Sequence, residues 1–231
     1  MATKSLYTAV GLFERRKNGC GRSCPVIILG GTEYMVDMQE MVIWTILNWR
    51  ISRKEEIRTL YQNACLDSEF ITSRTWDACV ERLLTRGLLV CGTGETEYDA
   101  LYDLLSTLYI IPADGSIFLR LFSFCKLTLI QHVPLAAARK LFQKDCRTAR
   151  EKQVIHLARQ ALLSTAEIIK CIEKDIRCLP DEYSILEGLY NDQDTTSDNI
   201  SSLVKFGSCT ESVTLAVANL YLRQQIIFER I

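Results

Sequence analysis

Cys20 and Cys24 lie with three residues between them in Gly19-Cys20-Gly21-Arg22-Ser23-Cys24-Pro25. Two thiols at that spacing could open a metal site or form a redox pair, and the neighbouring arginine would favour the thiolate. A structural zinc wants a second closely spaced pair of ligands. The later candidates, Cys171 and Cys178, are seven residues apart, so no metal site is expected and the redox pair stays open. His132 and His156 are the two histidines of the chain, and neither has an acid or a nucleophile beside it in sequence. Gly92-Thr93-Gly94 lacks the further glycine and the Lys-Ser/Thr that would grip a phosphate. These residues therefore predict no catalytic group, no cofactor and no enzyme.

Charge offers recognition instead. Residues 139–159 carry Arg139, Lys140, Lys144, Arg147, Arg150, Lys152 and Arg159 against Asp145 and Glu151. This basic patch would meet nucleic acid or an acidic partner, or would simply be a solvated pair of helix faces. Residues 181–198 carry Asp181, Glu182, Glu187, Asp192, Asp194 and Asp198 and no base. They could offset the basic patch within the fold or across a dimer. Net charge over the 231 residues is −1, so a nucleic-acid reading must rest on local patches.

The whole chain bounds the answer further. Hydrophobic residues make up 48%, with 11 glycines and 4 prolines, a composition suited to long helices around a sizeable core. Met1–Gly19 has no apolar core followed by a small-residue cleavage site. The ten cysteines are then expected as free thiols in a reducing cytoplasm. The apolar stretch 117–133 is interrupted by Arg120, Lys126 and His132, which predicts a core helix and no membrane span.

The elements that must position these groups follow from periodicity. Residues 1–25 read as a basic flexible arm. Val26–Leu29 and Glu33–Val36 read as short strands around Gly30-Gly31. Asp37 caps a helix to about Arg50, and Ser52-Arg53-Lys54-Glu55 is a capping box for the next. Thr72 or Ser73 caps a third, in which Trp76, Cys79, Val80, Leu83 and Leu84 share a face. Arg86 suits its last turn, Gly87 its left-handed end, and Leu88–Cys91 reads as a strand before a tight turn at 92–94. A helix over about 98–108 leads to the clearest break, Ile111–Gly115. Beyond it the spacing predicts helices over 116–131, 134–144, 147–177 and 180–190, and a last one from the box Ser208-Cys209-Thr210-Glu211 to about Arg230. No internal repeat is evident. The expected fold is mainly α with a small β component: an N-terminal domain over 26–111 and a helical domain, for dimerisation or sensing, over 112–231.

Strand, three helices, strand and glycine-rich turn within residues 33–97 resemble the winged helix-turn-helix of bacterial transcriptional regulators. Thr72-Ser73-Arg74-Thr75-Trp76 and Leu83-Leu84-Thr85-Arg86-Gly87-Leu88-Leu89-Val90 carry the resemblance. It implies a helix at about 73–86 that reads duplex DNA in the major groove. Arg74, Thr75 and Asp77 would then face the groove, with Ser73, Glu81 and Arg82 near its edge. Arg74 would be the base reader, because its guanidinium can pair bidentately with guanine. Arg53, Lys54 and Arg58 would meet phosphates, and Arg86 would stand in for a basic wing. The function implied is a DNA-binding transcriptional regulator acting on double-stranded DNA. The apolar faces of 158–169 and 213–228 add a homodimer suited to two half-sites. A small-molecule effector is left unidentified. The alternative is a non-catalytic adaptor whose winged helix contacts protein.

Overall fold

A computed structural model describes residues 3–17, 23–64, 74–113, 147–191 and 194–230. The fold is mainly α with small sheets: nine helices and seven strands among the described residues. In chain order they are β1 (Lys4–Ala9), β2 (Leu12–Lys17), β3 (Ser23–Leu29), β4 (Thr32–Met35), α1 (Met38–Leu47), α2 (Lys54–Asn63), α3 (Trp76–Thr85), β5 (Leu89–Gly94), α4 (Glu97–Ser106) and β6 (Tyr109–Pro112). Then come α5 (Ala149–Ala158), α6 (Thr165–Glu173), α7 (Glu182–Tyr190), α8 (Ile200–Leu203), α9 (Thr210–Leu222) and β7 (Ile226–Glu229). No helix among the described residues is long and apolar enough to cross a membrane.

The expected flexible arm is instead largely strand. Tyr7 and Thr8 are good strand formers, and β1 pairs antiparallel with β5 from Lys4↔Gly94 to Ala9↔Leu89. Its partner lies far along the chain, so no local pattern announces it. The strands expected at 26–29 and 33–36 are present, joined to β2 in a three-stranded antiparallel meander. Gly11 joins β1 to this meander at φ +89°, and a Cβ there would sit 2.5 Å from the Ile28 carbonyl oxygen.

One order of elements occurs twice, although no repeat is evident in the sequence. Strand β1, helices α1, α2 and α3, and strand β5 make the first unit. Strand β6, helices α5, α6 and α9, and strand β7 make the second, with β6 and β7 antiparallel. In each, the serine just before the second helix bridges a tyrosine of the first strand: Ser52 with Tyr7, Ser164 with Tyr109. In each, the third helix ends on a left-handed residue, Gly87 at φ +71° or Gln224 at φ +59°. The same pair of bonds closes both ends: Gly87 N to Leu84 O with Leu88 N to Leu83 O, and Gln224 N to Tyr221 O with Gln225 N to Leu220 O. Both are the 5→2 and 6→1 bonds of a Schellman motif.

This ending corrects the C-terminus. The helix expected to reach Arg230 stops at Leu222, because Ile226 and Phe228 alternate inward on β7 and pair with β6. The helix expected over 147–177 is two helices, broken where Ser164 caps α6 with Glu167. The turn at Gly92–Gly94 is the end of β5. A Cβ on Gly92 would lie 2.3 Å from the Ala100 carbonyl oxygen, so glycine there lets α4 pack directly on the strand. The helices expected over 116–131 and 134–144 lie outside the described residues.

A continuous core runs through both units. Tyr221 of α9 reaches into the first: its hydroxyl accepts from Trp49 N at 2.9 Å and Thr8 Oγ1 at 3.0 Å and lies 3.1 Å from the Ala9 carbonyl oxygen. Trp49 Nε1 donates to the Ile226 carbonyl oxygen at 3.3 Å, and Gly11 N to that of Phe228 at 3.0 Å. The expected break at Ile111–Gly115 begins inside β6, whose Ile111 and Pro112 pair with Ile227 and Ile226 of the C-terminal strand.

Candidate nucleic-acid interface

Asp37 caps α1, accepting from Glu40 N at 2.8 Å, while Glu40 Oε2 accepts from Asp37 N at 3.1 Å. This capping box brings a carboxylate with 0% exposure, Glu40, to the foot of α3. Three of the arginines assigned to DNA converge on it. Arg86 Nη1 donates to Glu40 Oε2 at 3.3 Å, and its Nη2 to the Met35 carbonyl oxygen at 2.6 Å. Arg82 Nε lies 3.1 Å and Arg74 Nη1 3.9 Å from Glu40 Oε1, charge contacts in which that oxygen accepts no aligned hydrogen bond. Arg74 Nη1 also donates to Asp37 Oδ2 at 2.8 Å.

The assignments separate by exposure. Arg86 has a side chain only 19% exposed and lies over the Tyr34 ring at 5.4 Å. It clamps the end of α3 to Glu40 of α1 and to the Met35 carbonyl. Arg74 and Arg82 are exposed but tied to the same carboxylates. Thr75 is the cap of α3, accepting from Ala78 N at 3.3 Å, so its hydroxyl already has a role there. Ser73 lies outside the described residues. Asp77 is exposed and pairs with Lys54 at 2.9 Å, which holds its carboxyl below the ordinary value.

A second group forms at the start of α2. Lys54 Nζ and the Arg58 guanidinium lie 5.6 Å and 5.9 Å from the Trp76 ring centroid. Arg53 and Lys4 both pair with Glu97. Between β1 and α2 opens a cleft of about 360 Å³ lined by Thr3, Lys4, Ser5, Tyr7, Arg53, Lys54 and Glu55. Residue Arg53 is the cap of α2 and offers no side-chain acceptor to its first amides. The Tyr7 phenol is pushed up to about 12, by burial first and by Cys91 next, so it stays a neutral donor. Sequence reasoning named Arg53, Lys54 and Arg58 but missed Lys4, Ser5 and Tyr7, because their place depends on β1 pairing. The Asp37-x-x-Glu40 box was the readable signal for the clamp.

The basic patch is only partly visible. Arg139, Lys140 and Lys144 lie outside the described residues, as do Cys20 and His132. Arg147 Nε donates to Gln225 Oε1 at 2.5 Å and Arg150 Nη1 to Gln153 Oε1 at 2.9 Å. Lys152 lines a cleft of about 410 Å³ with His156, Asp175 and Arg177 over Leu157, Ile172 and Ile176. Nothing described joins it to the α2 cleft. Cys79, Cys91, Cys171, Cys178 and Cys209 are free thiols, and no described group of His, Cys, Asp and Glu could hold a metal ion. Of the apolar face expected to form a dimer, Ala216, Val217, Leu220 and Tyr221 are buried in the chain's own core, and Leu215 and Leu222 stay exposed. No family model matches the chain, and no curated protein or solved structure is significantly similar to it.

Proposed function

We propose that the chain is a non-enzymatic, winged-helix protein that binds duplex DNA and regulates transcription. The observation that carries this reading is the cationic cleft at the start of α2. Lys4, Arg53 and Lys54 are each about half exposed. Their partners are surface carboxylates, and such pairs contribute only about 0–1 kcal/mol each. A phosphate can displace them at small cost. Support also comes from the sheet: Ser52, β1 and β5 lie side by side beneath α2 and α3. In this reading β1 supplies the strand that a winged helix usually draws from beyond its wing. Arg74, at the exposed start of α3, is the candidate base reader, released from Asp37 when it meets a base edge.

Purified protein presented with random duplexes over a salt series tests this. Lys54→Ala should weaken binding to every sequence and flatten the salt dependence by about one counterion. Arg74→Ala should relax selectivity at one or two base pairs. Absence of binding at low salt would sink the proposal. It would favour protein contact through α3, whose outer face also presents Asp77 and Glu81.

A further inference from the structure

The second unit inserts residues 174–209 between its second and third helices, where the first has only 64–75. The insertion opens on a turn fastened to the end of α5. Helix α6 runs into that turn with the ending used by the third helices. Asp175 N donates to the Ile172 carbonyl oxygen at 3.3 Å and Ile176 N to that of Cys171 at 2.8 Å, with Asp175 left-handed at φ +52°. Two bonds, at 2.9 Å and 3.2 Å, then hold the Arg177 guanidinium to the Asp175 carboxylate. Gln160, just past α5, is the fastener. Its Nε2 donates to the Arg177 carbonyl oxygen at 3.1 Å, and its Oε1 accepts from Leu179 N at 2.7 Å.

The cleft of about 410 Å³ lies between this turn, the end of α6 and α5, with Leu157, Ile172 and Ile176 as its apolar lining. Small-molecule sites span about 300–1,000 Å³ and are likewise largely apolar with a few convergent polar groups. Most polar groups of this cleft are already engaged: Asp175 and Arg177 with each other, and Gln153 with Arg150. Lys152 and His156 are not. They sit four apart on α5, on one face of the helix, and both line the cleft. Among the described residues neither side chain has a hydrogen-bond or ion-pair partner. Nor does the shared fold demand them. Counted from the buried glutamate of each first helix, Lys152 stands where the first unit has Met41, and His156 where it has Thr45.

We infer that this cleft binds a small amphiphilic carboxylate. Its apolar body lies over Leu157, Ile172 and Ile176, and its carboxylate accepts from Lys152 and His156. The Arg177 guanidinium offsets the Asp175 charge. A cationic ligand of the same shape meets free donors and no free acceptor. The inference stands on the second unit alone and does not depend on the DNA reading.

Octanoate, hexanoate and octylammonium are the probes, each titrated into the isotope-labelled full-length protein and followed by amide chemical shifts. Octanoate should bind saturably and move the amides of 152–157 and 172–177. Hexanoate should bind roughly tenfold more weakly, because it buries two fewer methylenes. Octylammonium should be weaker than octanoate by roughly tenfold or more, since it lacks the charged acceptor. Lys152→Gln should weaken octanoate by roughly fivefold, the upper end for an exposed ion pair, with an unchanged melting curve, and His156→Ala should weaken it by a smaller factor. Arg15→Gln, at an exposed basic site on β2, should leave it unchanged. Octylammonium binding as tightly as octanoate, or no saturable octanoate binding, would overturn the inference. So would shifts centred elsewhere, Lys152→Gln binding like the native protein, or an equal loss in Arg15→Gln.

Discussion

Arg86 and Arg223 do one job in two places. Each caps the third helix of its unit and reaches the buried glutamate that opens the first: Arg86 to Glu40 at 3.3 Å, Arg223 to Glu151 at 3.5 Å. Glu40 is 0% and Glu151 1% exposed. Removing Arg86 takes from buried Glu40 its aligned donor and frees the Met35 carbonyl, while Arg82 and Arg74 stay beside the carboxylate. Arg86→Ala is therefore expected to cost about 1–3 kcal/mol in urea unfolding. Arg74→Ala, which breaks an exposed pair, should cost less than about 1 kcal/mol. Equal costs would mean that the clamp is not centred on Glu40. Tyr221 makes the second test at this scale. Burial raises its phenol from 10.0 to about 12. The folded protein therefore holds the proton more tightly than the unfolded chain does. The stability this confers is fully present below pH 10 and is lost as pH rises through about 12. Absorbance at the tyrosinate band, followed alongside circular dichroism, should show a late tyrosine step that coincides with unfolding. Tyr221→Phe should reduce that step without abolishing it, because burial also raises Tyr7, Tyr102 and Tyr190.

The elements show how the same ending is reached with different residues. Gly87 takes the left-handed position after α3 without a Cβ penalty, whereas Gln224 takes it after α9 with one. The left-handed conformation costs a residue with a Cβ about 1–2 kcal/mol. Gln224→Gly is accordingly expected to stabilise the protein by about 1 kcal/mol, and Gly87→Gln to destabilise it by a similar amount. Thermal melts of the two variants check both signs. If Gln224→Gly destabilises, the glutamine side chain must matter more than its backbone. Its neighbour Gln225, which accepts from Arg147, is left intact by the design.

At the scale of the whole molecule, the two units cannot be separated cleanly. Tyr221 and Phe228 stack at 4.2 Å, and both reach the first unit, through Trp49 and Gly11. Unfolding is expected as one transition, with near- and far-ultraviolet dichroism coinciding. A fragment ending at Ala113 would lose β7 as the partner of β6 and lose the Tyr221 hydroxyl beneath Trp49. It should show no sharp melt and a red-shifted tryptophan emission. A cooperative melt of that fragment would mean that the N-terminal unit folds alone, as the break after Ile111 first suggested.

Local signals in the sequence located α1, α2, α3, β3, β4 and β5 within a few residues. Asp37 as a cap, the Leu83–Leu84 face and the helix end at Gly87 each depend on neighbours in the chain. The cations Arg53, Lys54 and Arg58 were legible for the same reason, as exposed positions of an amphipathic helix. Tertiary structure alone decided that residues 4–9 are a strand, that Arg86 is a clamp, and that β6 closes on β7. Those outcomes depend on partners far away in sequence: Gly94 for Lys4, Glu40 for Arg86, Glu229 for Tyr109. The repeat stayed hidden because its shared geometry needs few shared residues. A buried glutamate, a capping arginine, a serine–tyrosine bridge and a left-handed helix end recur at spacings that the insertions have made unequal.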